Sequence, residues 1–146
     1  KIARILDIQS NEFGFQFHNL HRMGYSFYMN GDSAMADYYL DLQVKICTTA
    51  IEGNRNYSDY AHYDLAGVQA FRGEKKKAYG NLEILLKKEQ FPHWFAILVQ
   101  IDPLFDNLRG DKRFEEFVNE LQIKYLKEHE RVKKWLEDQN LIQPDV

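Results

Sequence analysis

Large apolar residues recur every three or four positions along almost the whole chain. Phe13, Phe17, Leu20, Gly24 and Phe27 form one series, and Met35, Tyr39, Leu42 and Ile46 the next. Tyr60, Tyr63, Gly67 and Phe71 mark a third, and Leu82, Leu85 and Leu86 a fourth. That period belongs to helices with one buried face, not to strands. Stops fall between the series. Asn30-Gly31-Asp32 reads as a turn followed by an N-cap, Glu52 to Asn56 as a loop with Ser58 placed to cap the next helix, and Arg72-Gly73 as a short helix–helix turn. No strand-like run bounded by hairpin turns interrupts them.

Further along, Phe91-Pro92 opens a short apolar helix from Trp94 to Ile101. Asp102-Pro103 is a cap followed by proline in the first turn, which predicts a helical turn over 103–109. Gly110-Asp111 ends that turn and caps a long helix over 112–139. Its stripe runs through Phe114, Phe117, Leu121, Tyr125, Val132 and Trp135. The stripe is narrow and the other positions are largely Lys and Glu, so one side packs and the rest faces water. His129 falls on this stripe and is expected to be partly buried.

Composition removes several function classes. At 146 residues the chain has one domain's worth of length. Its single cysteine rules out an intramolecular disulfide and a cysteine-based zinc site, and no apolar run is long enough to cross a membrane. Residues 1–70 carry five basic and eight acidic side chains, and residues 71–146 balance at fourteen each, which together give the net charge of −3. Neither half has the basic excess that phosphate binding requires, so direct nucleic-acid binding is not expected. Lys75-Lys76-Lys77, the one basic run, reads as the exposed first turn of a helix.

Two segments match one another. The first has Leu20, Met23-Gly24, Phe27-Tyr28, Gly31-Asp32, Ala36, Leu40 and Val44. The second has Tyr63, Leu65-Ala66, Ala70, Gly73-Glu74, Ala78, Leu82 and Leu85-Leu86. In each, a small residue is followed seven positions later by a turn glycine and then by an alanine five further on. Small residues at these points let paired helices approach closely, and the glycine ends the first helix. Over roughly residues 12–101 the chain resembles a tetratricopeptide repeat protein. It departs from that pattern in a spacing of 42 residues between Gly31 and Gly73, in Gln43 where a small residue is usual, and in His62 where a large core residue is usual. The string Ile101-Asp102-Pro103-Leu104-Phe105-Asp106-Asn107-Leu108-Arg109-Gly110-Asp111-Lys112-Arg113-Phe114 is similar to the closing stretch of repeat modules at the C-termini of bacterial signalling and regulatory proteins.

The resemblance implies an all-α fold, a superhelix of antiparallel helix pairs with a long C-terminal capping helix. Residues 1–11 read as the remnant of a preceding helix, 12–51 as a first repeat, 57–90 as a second, 92–110 as a degenerate third and 111–140 as the cap. Lys1 opens in mid-pattern, with Ile2, Ile5 and Leu6 already at helical spacing, which reads as a piece of a longer protein. The family's concave groove, carried over, falls on His18, His21, Tyr25, Tyr28 and Met29, then on Tyr60, Tyr63, Asp64 and Phe71, with Gly67 and Ala70 between them. Seven of the nine tyrosines lie before residue 64. Tyrosine is a rigid contact residue that loses little entropy on binding, and it is also a good core residue with a wet hydroxyl.

The expected function is therefore a non-enzymatic module that binds a peptide or partner protein in its groove, with no cofactor and no metal. One alternative is homodimerisation of the parent protein through the C-terminal helix, with Tyr125 and Trp135 in the seam. A second is a metal-dependent or small-molecule enzyme or sensor using His18 and His21, which lacks a patterned third ligand. Cys47 reads as a small buried hydrophobe. Gly67 to Lys75 fails as a phosphate loop because Glu74 intervenes and no strand precedes it. Arg109-Gly110-Asp111 is explained by capping, and Asn56-Tyr57-Ser58 matters as a glycosylation acceptor only in a secreted eukaryotic protein. The expected compartment is the cytoplasm, or the periplasm if the parent is membrane-anchored.

Overall fold

The computed structural model describes residues 19–53, 58–88, 92 and 94–143, and those residues are all-helical, with no strand among them. The elements are α1 (Leu20–Met29), α2 (Ser33–Glu52), α3 (Ser58–Phe71), α4 (Lys75–Lys87), α5 (Phe95–Ile101), a 3-10 turn (Pro103–Leu108) and α6 (Lys112–Asp138). The chain divides into two compact units, residues 1–68 and 69–146, with the boundary inside α3. Among the described residues no helix is long and apolar enough to cross a membrane.

In the first unit α1 and α2 form an antiparallel pair. The turn between them works because Gly31 takes φ 81°, a region that side-chain-bearing residues avoid. Its N–H bonds the Tyr28 carbonyl at 2.9 Å and the Asp32 N–H bonds the Phe27 carbonyl at 3.0 Å. That double bond pattern closes the end of α1. Asp32 then caps α2 by accepting from the Met35 N–H at 3.0 Å. The helices meet at Gly24, where an added Cβ would lie 2.8 Å from Leu40 Cγ and 3.0 Å from the Ala36 carbonyl oxygen. The close approach expected of Gly24 and Ala36 is thus present in this pair. The buried face of α2 runs Ala36, Tyr39, Leu40, Gln43, Cys47 and Ala50. Of the series Met35, Tyr39, Leu42 and Ile46, Tyr39 is buried as expected, while Met35, Leu42 and Ile46 lie one position round and are only partly buried. Ala36 and Leu40 pack directly on Gly24, whose missing side chain leaves the room they fill. Cys47 and Ala50 complete a core with Ala61 and Leu65 of α3, and Val44 and Ile51 pack against it.

In the second unit nearly every residue of the 101–114 string has a mechanical task. Asp102 is buried and accepts from the Leu104 N–H at 3.1 Å, with Pro103 in the first turn. Leu104, Phe105 and Leu108 are buried, and Phe105 stacks on Phe114, which stacks on Phe117. Asn107 donates to the carbonyls of Ala70 at 3.1 Å and Phe71 at 2.9 Å, the open end of α3. Arg109 donates to the Gln100 carbonyl and, at 3.0 Å, to the Asp102 carbonyl, which closes α5, while its Nε is held by Asp106 at 2.7 Å. Gly110, at φ 78°, makes the turn, and Asp111 caps α6 through the Arg113 N–H at 3.1 Å. The Arg113 guanidinium sits 4.2 Å above the Tyr79 ring and pairs with Glu83, both on α4. Gly73 repeats the Gly31 device after α3, at φ 75°. Lys75, Lys76 and Lys77 are the exposed first turn of α4. Lys124 donates to the Leu86 and Lys88 carbonyls at the end of α4.

Two consequences are measurable. Gly24 and Gly80 are both helical, but an added Cβ at Gly80 meets nothing within 4 Å. Gly80→Ala gains helix propensity and stabilises by about 0.5–1 kcal/mol. Gly24→Ala has the same gain, outweighed by an overpacking cost of about 1–3 kcal/mol. Urea denaturation of both variants should give shifts of opposite sign, and a stabilised Gly24→Ala would rule out the close approach. The second concerns pH. The Arg113 N–H holds the Asp111 carboxylate below its ordinary range, helped by Tyr79 and Lys75, and Arg113 lowers Glu83 likewise. A carboxylate lowered on folding stabilises above its unfolded value, about pH 4, and loses that contribution as pH falls through the folded value. Asp111→Asn, which keeps a capping oxygen, should therefore melt below the parent at neutral pH. The gap in melting temperature should close towards pH 3 (roughly one unit under the unfolded carboxylate value). A gap independent of pH would contradict the assignment.

Candidate functional site

The apolar stripe on the inner face of α2 contains one amide, Gln43, with 0% of its surface exposed. A buried amide must satisfy its donors and its acceptor, or it costs about 1–3 kcal/mol per orphaned group. Gln43 does so by joining three helices. Its Oε1 accepts from the backbone N–H of Leu20 at 3.0 Å and of His21 at 3.4 Å. These are first-turn donors that α1 cannot satisfy by itself. Its Nε2 donates to Asp64 Oδ2 of α3 at 3.2 Å and to Cys47 Sγ at 3.3 Å. The other carboxylate oxygen, Asp64 Oδ1, lies 3.7 Å from His21 Nε2. His21 is 1% exposed. Cys47, His21, Asp64 and Gln43 are the residue types of a thiol hydrolase, so their electrostatics decide what they can do. Burial pushes the Cys47 thiol up to about 12, the Asp64 carboxylate adds to this, and the Gln43 hydrogen bond opposes it. A nucleophilic cysteine needs the reverse, a lowered thiol and access to solvent. The cluster is an interior clamp between α1, α2 and α3.

Above the clamp the same helices present aromatic side chains. His21, Tyr25, Tyr28 and Met29 share one side of α1 by their spacing. The side grades outward, with His21 buried, Tyr25 partly covered, and Tyr28 and Met29 exposed by 54% and 64%. On α3, Tyr60 is exposed, while Tyr63 and Asp64 are buried. Of the residues placed in a groove by the sequence pattern, the structure thus brings His21 and Asp64 together inside and leaves Tyr25, Tyr28, Met29 and Tyr60 at the surface. Phe71 is partly buried in the second unit. His18 lies outside the described residues, as does the Asn56-Tyr57 part of the glycosylation pattern. His62 is buried. His129 is exposed rather than partly buried. Among the described residues no group of three or more His, Cys, Asp or Glu is placed to hold a metal ion. Gln43 is the functional-looking residue that sequence reasoning undervalued. Its signal was an amide at a position where the pattern wants a small residue.

In the second unit a cleft of about 480 Å³ runs between Gln100, Arg109 and one side of α6, with Phe114 and Val118 among its lining residues. Arg109 is spent there on backbone carbonyls and Asp106.

The clamp makes a clear prediction for the lone thiol. Folded protein at pH 8 should react with an alkylating reagent at Cys47 at least about a hundredfold more slowly than unfolded protein (from thiolate fraction and access). The rate should rise in step with unfolding when urea is added. Fast alkylation in the absence of denaturant would mean that the cluster opens or activates the thiol.

No family model, curated protein or solved structure is significantly similar to this chain.

Proposed function

We propose that the chain is a non-enzymatic recognition module of the tetratricopeptide-like kind, which binds a peptide or protein segment on the aromatic side of α1 and α3. One observation carries this reading. The polar groups of the first unit that resemble catalytic chemistry are turned inward and consumed by Gln43, while Tyr25, Tyr28, Met29 and Tyr60 are held outward on packed helices. Rigid aromatic and methionine side chains on a fixed scaffold are the usual anchors of protein interfaces. The acidic excess of residues 1–70 favours a segment with positive charge, which speeds encounter and orients the ligand more than it adds affinity. In a parent protein of the bacterial regulatory type suggested by the closing string, such a module would recruit a partner and leave the chemistry to another domain.

The proposal separates two kinds of tyrosine. Tyr63 is 2% exposed, so Tyr63→Ala should cost about 3–5 kcal/mol of stability, as for other buried aromatics. Tyr28→Ala and Met29→Ala are surface changes and should stay within about 0.5 kcal/mol. Peptides selected from a random displayed library against the folded chain should be basic. They should lose at least about tenfold in affinity with Tyr28→Ala or Tyr60→Ala, and should weaken with salt. A library that yields no binder, or binders indifferent to these tyrosines, would refute the reading.

A further inference from the structure

α6 is longer than the core that it covers. Its 27 residues extend for about 40 Å. Phe114, Phe117 and Leu121 are buried, and Lys124 still reaches the end of α4. The same side of the helix then runs through Tyr125, passes Glu128 and His129, and returns to apolar residues at Val132 and Trp135. Val132 and Trp135 are 39% and 54% exposed. At the helix end Asn140 takes φ 56° and the Leu141 N–H bonds the Leu136 carbonyl at 2.9 Å. This turn brings Ile142 and Gln143 beside Val132 and Leu136, around a cleft of about 310 Å³.

We infer that this half of α6 is a homodimer seam, in which residues 125–139 pair antiparallel with the same segment of a second copy about a two-fold axis beside Glu130. That axis sets Tyr125 against Trp135 of the second copy, and by symmetry Trp135 against Tyr125. The cleft bordered by Val132, Leu136 and Ile142 receives the incoming ring. Charge selects the direction. Glu128 and Arg131 already pair within one helix, Arg131 Nε to Glu128 Oε2 at 2.7 Å. Antiparallel pairing lays each Glu128 against Arg131 of the other copy, so four charges alternate in sign around the axis. Parallel pairing would set Glu128 level with Glu128 and Arg131 level with Arg131, which loses that alternation. The contact is isologous, so it closes at two copies. Few large side chains are buried, which places it at the small end of specific interfaces, near about 1,200 Å², and makes the dimer reversible. The seam lies wholly in the second unit and does not rest on the recognition reading, so either can fail alone.

Sedimentation velocity on the 146-residue chain tests it, over about 5 to 200 µM (a range that brackets weak self-association). The mass should rise with concentration from 17.4 kDa towards twice that value. Trp135→Glu and Arg131→Glu should each weaken association at least about tenfold with unchanged thermal melts, since both side chains are exposed. The double variant Glu128→Arg with Arg131→Glu should regain association, because exchanging both signs restores the alternation. Spin labels at Lys127→Cys and Asp138→Cys distinguish the direction. The axial separation should be about 15 Å greater at 138 than at 127 if the helices run antiparallel. A monomer throughout the range, association indifferent to Trp135→Glu, a double variant no better than Arg131→Glu, or equal label distances would each overturn the inference.

Discussion

Every helix ends with backbone groups that its own ladder cannot reach. A chain built of short helices has many such ends, and several of them are buried. That constraint accounts for more of this structure than any single apolar contact. Glycine in the left-handed region closes α1 and α3, and asparagine does the same for α6. Asp32, Asp102 and Asp111 open the helical segments that follow them. Several ends are also met by distant side chains, and those long-range caps tie one helix to another. Gln43 reaches back to the start of α1, Asn107 and Arg109 close α3 and α5, and Lys124 closes α4. Each of these bonds satisfies a helix-end group from outside its own helix, so each specifies geometry as well as adding stability.

This explains why the helical architecture was legible in the residues. Apolar spacing depends only on the helical period, and local caps depend only on neighbours in sequence. The turn at Asn30-Gly31-Asp32, the proline turn after Asp102 and the start of α6 at Asp111 all follow from such local chemistry. The long-range caps were not legible, because nothing near Asn107 in sequence says that its amide meets the carbonyls of Ala70 and Phe71. The inner side of α2 was displaced by one position for a related reason. Size-based reasoning puts Met35, Tyr39, Leu42 and Ile46 inside; Tyr39 is inside, but the close approach at Gly24 admits Ala36, and the polar clamp admits Gln43 and Cys47, in place of the other three.

The candidate site was legible in its residue types and not in their orientation. His21, Tyr63 and Asp64 share helix sides with Tyr25, Tyr28 and Tyr60, so spacing alone treats them as one surface. Burial separates them. The buried members carry hydrogen bonds or fill the core, and the exposed members present area to solvent. A carboxylate placed in low dielectric is expensive unless its oxygens are met. Gln43 meets one Asp64 oxygen and His21 lies near the other. The aromatic side is thereby mounted on helices whose mutual position a polar clamp sets.

The proportions of α6 argue in the same direction for the second unit. An isolated helical segment of about 15 residues is marginal in water, and ordering it costs about 1–2 kcal/mol of backbone entropy per residue. The half of α6 beyond Lys124 carries that cost with no fully buried residue among its own side chains. Pairs such as Glu128 with Arg131 return only a few tenths of a kcal/mol each. A helix needed only as a lid would end near Leu121, its last fully buried residue. Tyr125, Val132 and Trp135 continue the Phe114–Leu121 side over a stretch of α6 in which no side chain is fully buried. A charged face would have kept that half soluble at no cost in helix propensity. The retained aromatic and β-branched residues fit a second helix laid along the seam better than they fit a solvated extension.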